Sequence, residues 1–318
     1  MQVFFLASAS FWFDQTVNGL TSGSIYALLA LGYTMVYGVL QLINFAHGEV
    51  FMLGSFAGYF VMVGFGGDEI AGPMIAVSIF CAIIVAMAAS SAAAVAIERI
   101  AYRPVRNAPR LTALISAIGV SIFLQFLVLD MTSAKAKFYP AIFPEGSVGV
   151  SDYQVSYIQL FLIGASIVMM LFLYVVVQRT STGRAIRAVA EDKDNAALLG
   201  VNVNRTIVIV FILGAAMAAV GGVLWGLFFR GVRGTMGFLP GIKAFTAAVL
   251  GGIGSIPGAV AGGYFLGLAE TVGREMLTRL PGVEFGNEWR DVIAFSLLVL
   301  VLLFRPTGIF GERTYRRA

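Results

Sequence analysis

One cysteine and one histidine in 318 residues set the first limits on what this chain does. A lone Cys81 forms no intrachain disulfide and no thiolate cluster, and a lone His47 supplies no histidine-based metal site. Charge is scarce as well: 12% of residues are Asp, Glu, Lys or Arg, against about 25% in an average soluble domain. No G-x-x-x-x-G-K-[ST] run is present, so the chain does not bind ATP in the P-loop manner. The run Gly251-Gly252-Ile253-Gly254 lacks the strand and helix a nucleotide turn needs. No catalytic pair stands out among so few ionisable groups, which argues against an intramembrane enzyme.

What takes the place of charge is apolar length. Between Asp14 and Glu49 lie 34 uncharged residues, and 70–97, 153–178, 206–229 and 244–269 repeat the pattern over 24 to 28 residues. A helix of about 20 apolar residues crosses a bilayer, and a Lys, Arg or Asp at its centre costs roughly 2.5–3.5 kcal/mol. With 59% hydrophobic residues, the chain reads as an all-α, polytopic membrane helix bundle. Cys81 is expected to be a small buried hydrophobe within it. The longest segment expected outside the lipid, 179–205, is too short to bury a core of its own, so residues 1–318 are read as a single transmembrane domain.

The net charge of +4 invites a nucleic-acid reading, but its distribution does not. Thirteen of the 21 Lys and Arg residues lie in 98–110, 179–205 and 305–318, which hold five of the 17 acidic ones. Such bias marks cytoplasmic loops. Residues 1–10 lack the basic start of a cleaved signal peptide and are expected to enter the first span at the interface. Helices are expected near 16–39, 46–64, 72–97, 111–130, 155–178 and 206–229, as a broken pair in 241–273, and at 290–305. That gives 8–9 transmembrane segments with the N terminus outside and the C terminus cytoplasmic. Residues 241–273 return to the outer side as two short crossings or as one hairpin that dips partway.

The first four and last four spans can be laid over each other, with 155–178 between them. The two sets, 15–135 and 206–305, would then be inverted repeats, whose Gly/Pro-broken segments lie by the path in transporters. One such segment runs from Asn44 through His47 and Glu49. At membrane depth these polar residues face the bundle interior or a water-filled path. In a cytoplasmic turn they are ordinary loop residues, with Asn44 capping the next helix. The other segment holds Gly251, Gly252, Gly254 and Pro257. A broken backbone there is tolerated only where it is buried in protein or lines water, so a place beside the path is expected. Elsewhere, at Gly164, Gly214, Gly221 and Gly222, glycine reads as close helix packing.

Residues 185–199 favour a helix ended by Gly200, with Ile186, Val189, Ala190 and Ala197 on one face and Arg187 four residues before Glu191. Glu191, Asp192 and Asp194 suit anionic lipid poorly, so a docking helix for a cytoplasmic partner is expected.

Several stretches together resemble the LivH-type permease subunit of bacterial branched-chain amino acid ABC importers. They are residues 18–28, 38–49, Ala101-Tyr-Arg-Pro-Val-Arg106, 114–119 with 122–125, 183–188 through Leu199-Gly200, Lys243-Ala-Phe-Thr-Ala-Ala-Val-Leu-Gly-Gly-Ile-Gly-Ser-Ile-Pro-Gly258, and Arg305-Pro-Thr-Gly308. They extend over nearly the whole chain and are more specific for the family than for the substrate. The resemblance implies a permease in the bacterial inner membrane that imports Leu, Ile or Val. It also implies a path shared with a homologous LivM-type permease, two cytoplasmic ATPases (LivG-like and LivF-like) that hydrolyse ATP, and a periplasmic substrate-binding protein. No cofactor is expected on this chain itself. Coupling to the ATPases is assigned by resemblance to Gly183, Arg184, Arg187, Ala190, Glu191, Asp192, Leu199 and Gly200. The path is expected near Asn44, His47, Glu49, Gly251, Gly252, Gly254 and Pro257. Alternatives are an importer of other neutral amino acids or an ion-coupled secondary transporter, for which Glu49, Asp130 and Glu270 are the nearest acidic candidates.

Overall fold

The computed structural model describes residues 9–106, 108–279, 286–305 and 307–310. Among these, eleven α-helices follow in order: α1 (Ala9–Leu40), α2 (His47–Gly64), α3 (Met74–Ile97), α4 (Arg110–Met131), α5 (Tyr157–Arg179), α6 (Ser181–Glu191), α7 (Lys193–Leu198), α8 (Val203–Phe229), α9 (Phe238–Gly251), α10 (Ile256–Leu277) and α11 (Trp289–Phe304). The expectations for 1–8 and 311–318 lie outside the described residues.

Local chemistry explains where the helices begin. Ser156 and Gln159 form a reciprocal capping box at α5, and Thr180, Asp192, Asn202 and Ser255 each accept a backbone N–H in the first turn of α6, α7, α8 and α10. These short polar side chains satisfy amide donors that have no partner within the helix. A π-helical turn, Glu98–Tyr102, extends α3.

The segment expected as one helix over 185–199 is two. Asp192 is extended (φ −157°, ψ 115°) and caps α7, so the chain turns sharply between α6 and α7. The face shifts with the turn: Ile186 and Val189 are buried as expected, whereas Ala196 replaces Ala197 as the buried residue. Two small antiparallel ladders, not anticipated from the sequence, sit outside the helices. β2 (Ser147–Val150) pairs with β3 (Tyr153–Ser156), and β1 (Lys137–Phe138) pairs with β4 (Gly231–Val232).

Five helical segments are long and apolar enough to cross a membrane: Ala9–Leu40, Met74–Tyr102, Leu111–Met131, Tyr157–Arg179 and Val203–Phe229. Burial separates them into two groups. The apolar windows of α1 and α8 are 89% and 78% buried, whereas those of α3, α4 and α5 are 28% buried. The first two are the core of the bundle. The other three turn large side chains such as Phe80, Phe123, Phe126 and Val168 outward, where a soluble protein would have none in such density.

Packing is close because glycine removes Cβ atoms where helices cross. α1 and α10 meet through Gly19 and Gly23 on one side and Gly263 and Gly267 on the other. A Cβ on Gly263 would lie 2.5 Å from the Cα of Ala27, and one on Gly23 would lie 2.9 Å from the Cα of Tyr264. Gly214 meets Gly32, and Gly222 meets Phe51, as the packing role predicts. Gly164 does not fit that role: nothing lies within 4 Å of its missing Cβ. Helix contacts are paired throughout: α1 packs on α10 and α9, α8 packs on α3 and α2, α2 packs on α3, and α9 packs on α10.

Candidate translocation site

The first turns of α2 and α9 meet inside the bundle. Gly48 and Gly237 are in backbone contact, and a Cβ on Gly48 would stand 3.2 Å from the Cα of Gly241. Glu49, wholly buried, sits at this junction. Its Oε1 accepts from Ser121 Oγ (3.1 Å) and Gln125 Nε2 (2.8 Å) on α4. Its Oε2 has no hydrogen-bond partner and lies 2.8 Å from where a Cβ of Gly237 would be. The carboxylate thus occupies the space between two helix N-termini, whose exposed amides carry partial positive charge. His47 packs edge-on against Tyr33 at 4.7 Å, in room left by Gly32.

Asn44 does not cap α2, whose N-cap is Ala46. Its Oδ1 instead accepts from the Ala46 amide (3.1 Å) and the Tyr102 hydroxyl (3.1 Å), pinning the 41–46 connection to the π-helical turn. Asn44, His47 and Glu49 are all buried in packed protein.

The second group lies at the far end of α9, a helix about 21 Å long at 1.5 Å per residue, so the structure does not bring the two groups together. Gly252 and Gly254 have φ of +103° and +100°, a region open to glycine and strained for other residues, so the α9–α10 break needs them. The carbonyls freed there are not left bare: Leu250 and Gly251 accept from Ile309 (2.9 Å) and Phe310 (3.0 Å). Gly251 packs against Gly258 across the turn. Gly251 and Gly252 are buried there, whereas Gly254 and Pro257 are exposed. Pro257 alone of this set borders a cavity, an apolar groove of 560 Å³ between α1, α5 and α10. The Tyr264 hydroxyl at that groove is 3.3 Å from Ser24 Oγ and 3.4 Å from Ser166 Oγ.

A second cavity, of 370 Å³, opens by the α8–α9 connection and carries charge that sequence reasoning had not placed in a site. Lys243 on α9 lies 3.1 Å from Glu270 on α10 and 2.6 Å from Asp291 on α11, and Tyr26 on α1 donates to Glu270 Oε2 (3.0 Å). One signal was available: Lys243 is the only charged residue between Arg233 and Glu270. What it pairs with was not legible, because the partners stand on other helices.

On the opposite side of the fold, Glu98 is buried against Arg106 (2.8 Å) and Arg103 (3.4 Å), and Arg106 also reaches Asn204 (2.7 Å) at the start of α8. Arg106 approaches α7 too: partial burial and its guanidinium lower the Lys193 ammonium below the usual lysine range, with Asp194 opposing. Among the residues assigned to coupling, Gly183 packs against the carbonyls of Val176 and Val177, and Arg187 donates to the Val177 carbonyl. Arg184, Glu191, Asp192, Leu199 and Gly200 are exposed, and Ala190 is half-buried. Leu198 and Leu199 are 85% and 83% exposed, an apolar pair on an otherwise polar surface.

A glycine-packed bundle with broken helices, buried ion pairs and cavities, five of whose helical segments are long and apolar enough to cross a membrane, is the build of a polytopic membrane protein. Residues 15–302 match the family described as "Branched-chain amino acid transport system / permease component". The high-affinity branched-chain amino acid transport system permease protein BraD of Pseudomonas aeruginosa is 47% identical over 95% of this chain and 96% of that protein. The corresponding LivH of Salmonella typhimurium is 46% identical over the same shares. The solved structure of PsaBC from Streptococcus pneumoniae in complex with Fab is a distant likeness, with 12% identity and TM-score 0.44 over 92% of each chain. The chain belongs to the branched-chain amino acid transport permease family. It is a multi-pass membrane permease component of an ABC transport system and not an enzyme.

Proposed function

We propose that this permease imports Leu, Ile and Val across the bacterial inner membrane, along a path shared with a homologous LivM-type permease. Two cytoplasmic ATPases drive it with ATP, and a periplasmic binding protein delivers the amino acid. The observation that carries the reading is the likeness to permeases named for high-affinity branched-chain amino acid transport over 95% of the chain. Residues 1–318 form one permease domain with its N terminus outside and its C terminus inside.

Eight helices cross: α1, α2, α3, α4, α5, α8, α10 and α11. The ninth crossing is made by 230–251, in which α9 is a half-helix that begins at membrane depth beside α2, and this odd number leaves the N terminus outside and the C terminus inside. The halves 15–135 and 206–305 are inverted repeats, and the reciprocal packing supports this: α1 on α10 mirrors α8 on α3, and α1 on α9 mirrors α8 on α2. In that arrangement Gly48 and Gly237 are equivalent, and each lies against the other.

The ATPases dock on 179–205, with the exposed Leu198–Leu199 pair and Arg184 as the contact surface and Arg187 tying α6 to the end of α5. Closure of the ATPase pair pulls α6 and α7, and α5 and α8 transmit the movement to the bundle. In the path assignment, the α2–α9 junction with Asn44, His47 and Glu49 is a pivot at membrane depth. The break at Gly251, Gly252, Gly254 and Pro257 lets α10 move against α5. Of the three acidic candidates for an ion-coupled reading, Glu270 already pairs with Lys243.

The test is uptake of labelled leucine by proteoliposomes holding the permease with the second permease, ATPases and binding protein encoded beside it. Uptake should require ATP and the binding protein. Uptake driven by an ion gradient without ATP would refute the reading.

A further inference from the structure

We infer that the 370 Å³ cavity between α1, α8, α9 and α11 binds the ammonium-carboxylate head group of an α-amino acid, with Asp291 taking the ammonium and Lys243 the carboxylate. This rests on the reading above and names its recognition residues.

The cavity has two kinds of wall. Trp225, Met236, Leu239 and Pro240 supply apolar surface, while Lys243, Asp291 and Arg233 supply charge. A volume of this size lies in the usual range for small-molecule sites, roughly 300–1,000 Å³, which pair apolar walls with a few placed polar groups. The charged cluster draws on three helices. Lys243 is 9% exposed, and its ammonium is shared between Glu270, 4% exposed, and Asp291, 38% exposed. Glu270 accepts from the Tyr26 hydroxyl, is buried, and is not among the residues that line the cavity. Asp291 is the carboxylate an incoming molecule reaches first.

Two carboxylates therefore answer one lysine, and among the described residues the reachable one is paired with that lysine alone. A free cation entering would displace Lys243 and leave it facing Glu270. A free anion would meet Asp291 and be repelled. A zwitterion satisfies both: its ammonium replaces Lys243 on Asp291, while its carboxylate takes the donor that Lys243 releases. Every charge keeps a partner, because the Lys243–Asp291 pair is replaced by ammonium–Asp291 and Lys243–carboxylate pairs while Lys243–Glu270 persists. This matters because a buried charge left unpaired costs several kcal/mol. Arg233, exposed at the rim, draws the carboxylate end inward. The aliphatic side chain then lies on Met236, Leu239 and Pro240, at the first turn of α9. The head group thus touches α9 and α11 directly and is linked to α10 through the Lys243–Glu270 pair, and a bound substrate biases the helices that must move.

The experiment uses the assembled transporter in membranes, with Cys81→Ser to remove the native thiol and Thr235→Cys to report from the cavity wall. Labelling of Cys by a small water-soluble thiol reagent is timed with leucine, with 3-methylbutylamine (leucine without its carboxylate) and with 4-methylpentanoate (leucine without its ammonium). Leucine at ten times its dissociation constant should slow labelling about tenfold, and the amine and the acid should not. Adding Asp291→Asn should abolish protection by leucine in a complex that still co-purifies with its ATPases, and protection undiminished by that change overturns the inference. Equal protection by all three compounds, or none by leucine in a transporter that takes leucine up, overturns the inference. Absence of ATP-dependent leucine uptake by the parent transporter overturns the functional reading instead.

Discussion

Adding one methyl group at Gly48 or at Gly237 should damage the permease through the same contact. A Cβ on Gly48 would stand 3.0 Å from the carbonyl carbon of Gly237 and 3.2 Å from the Cα of Gly241. One on Gly237 would stand 2.6 Å from the carbonyl carbon of Gly48 and 2.8 Å from Glu49 Oε2. Carbon atoms rest about 3.5–4.0 Å apart, so the backbones must separate by roughly 1 Å. Overpacking of this kind costs about 1–3 kcal/mol. At Gly48, inside α2, alanine recovers up to about 1 kcal/mol of helix propensity; at Gly237, outside α9 as its N-cap, it recovers less. Gly237→Ala should therefore be the more harmful of the two. Because one separation relieves both clashes, the double variant should fall short of the sum, with a coupling of about 0.5–3 kcal/mol. Thermal unfolding of the purified permease and leucine uptake read the two effects, since separating α2 from α9 also draws Glu49 off Ser121 and Gln125. Gly119→Ala and Gly164→Ala, where nothing lies within 4 Å, serve as controls and should retain stability. Wild-type stability and transport in both Gly48→Ala and Gly237→Ala would refute the packing argument.

Three further outcomes follow from the same geometry. Lys243→Met leaves Glu270 buried beside Asp291 without its cation and should cost about 3–5 kcal/mol of stability, while Lys243→Met with Glu270→Gln should recover most of it; equal losses in thermal unfolding would show that the pair is not coupled. Asn44→Ala removes the acceptor of both Ala46 and Tyr102 and should cost about 1–3 kcal/mol, and it and Glu49→Ala should impair uptake in permease that still reaches the membrane; full uptake in both variants removes them from the path. Deleting 186–197 should release the ATPases or leave ATP hydrolysis running without uptake, whereas single changes at exposed Arg184 or Glu191 should shift it little, since exposed ion pairs contribute about 0–1 kcal/mol; unchanged co-purification and uptake after the deletion would sink the docking assignment.

The sequence alone determined the membrane bundle, the positions of its helices to within a few residues for most spans, and the surface segment between α5 and α8. Each of these depends on composition within a short stretch. Lipid acts on every residue of a span in the same way, so the absence of Asp, Glu, Lys and Arg over 24 or more residues is decisive without knowledge of neighbours. Gly200 was legible as a helix end for the same local reason, and it takes φ +84°. Where two local signals competed the expectation slipped: Asp192, a preferred N-cap residue set among helix formers, caps a new helix and divides 185–199.

Tertiary structure decided the rest. It places Asn44, His47 and Glu49 in packed protein, satisfies the carbonyls of Leu250 and Gly251 with the amides of Ile309 and Phe310, and sets Lys243 between Glu270 and Asp291. It also shows Gly48 against Gly237, which no local pattern links. These pairings depend on the depth and rotation of separate helices, and a shift of one residue turns a helical side chain by about 100°. Composition tells a residue what solvent surrounds its segment; only the packed bundle decides which side chain meets it.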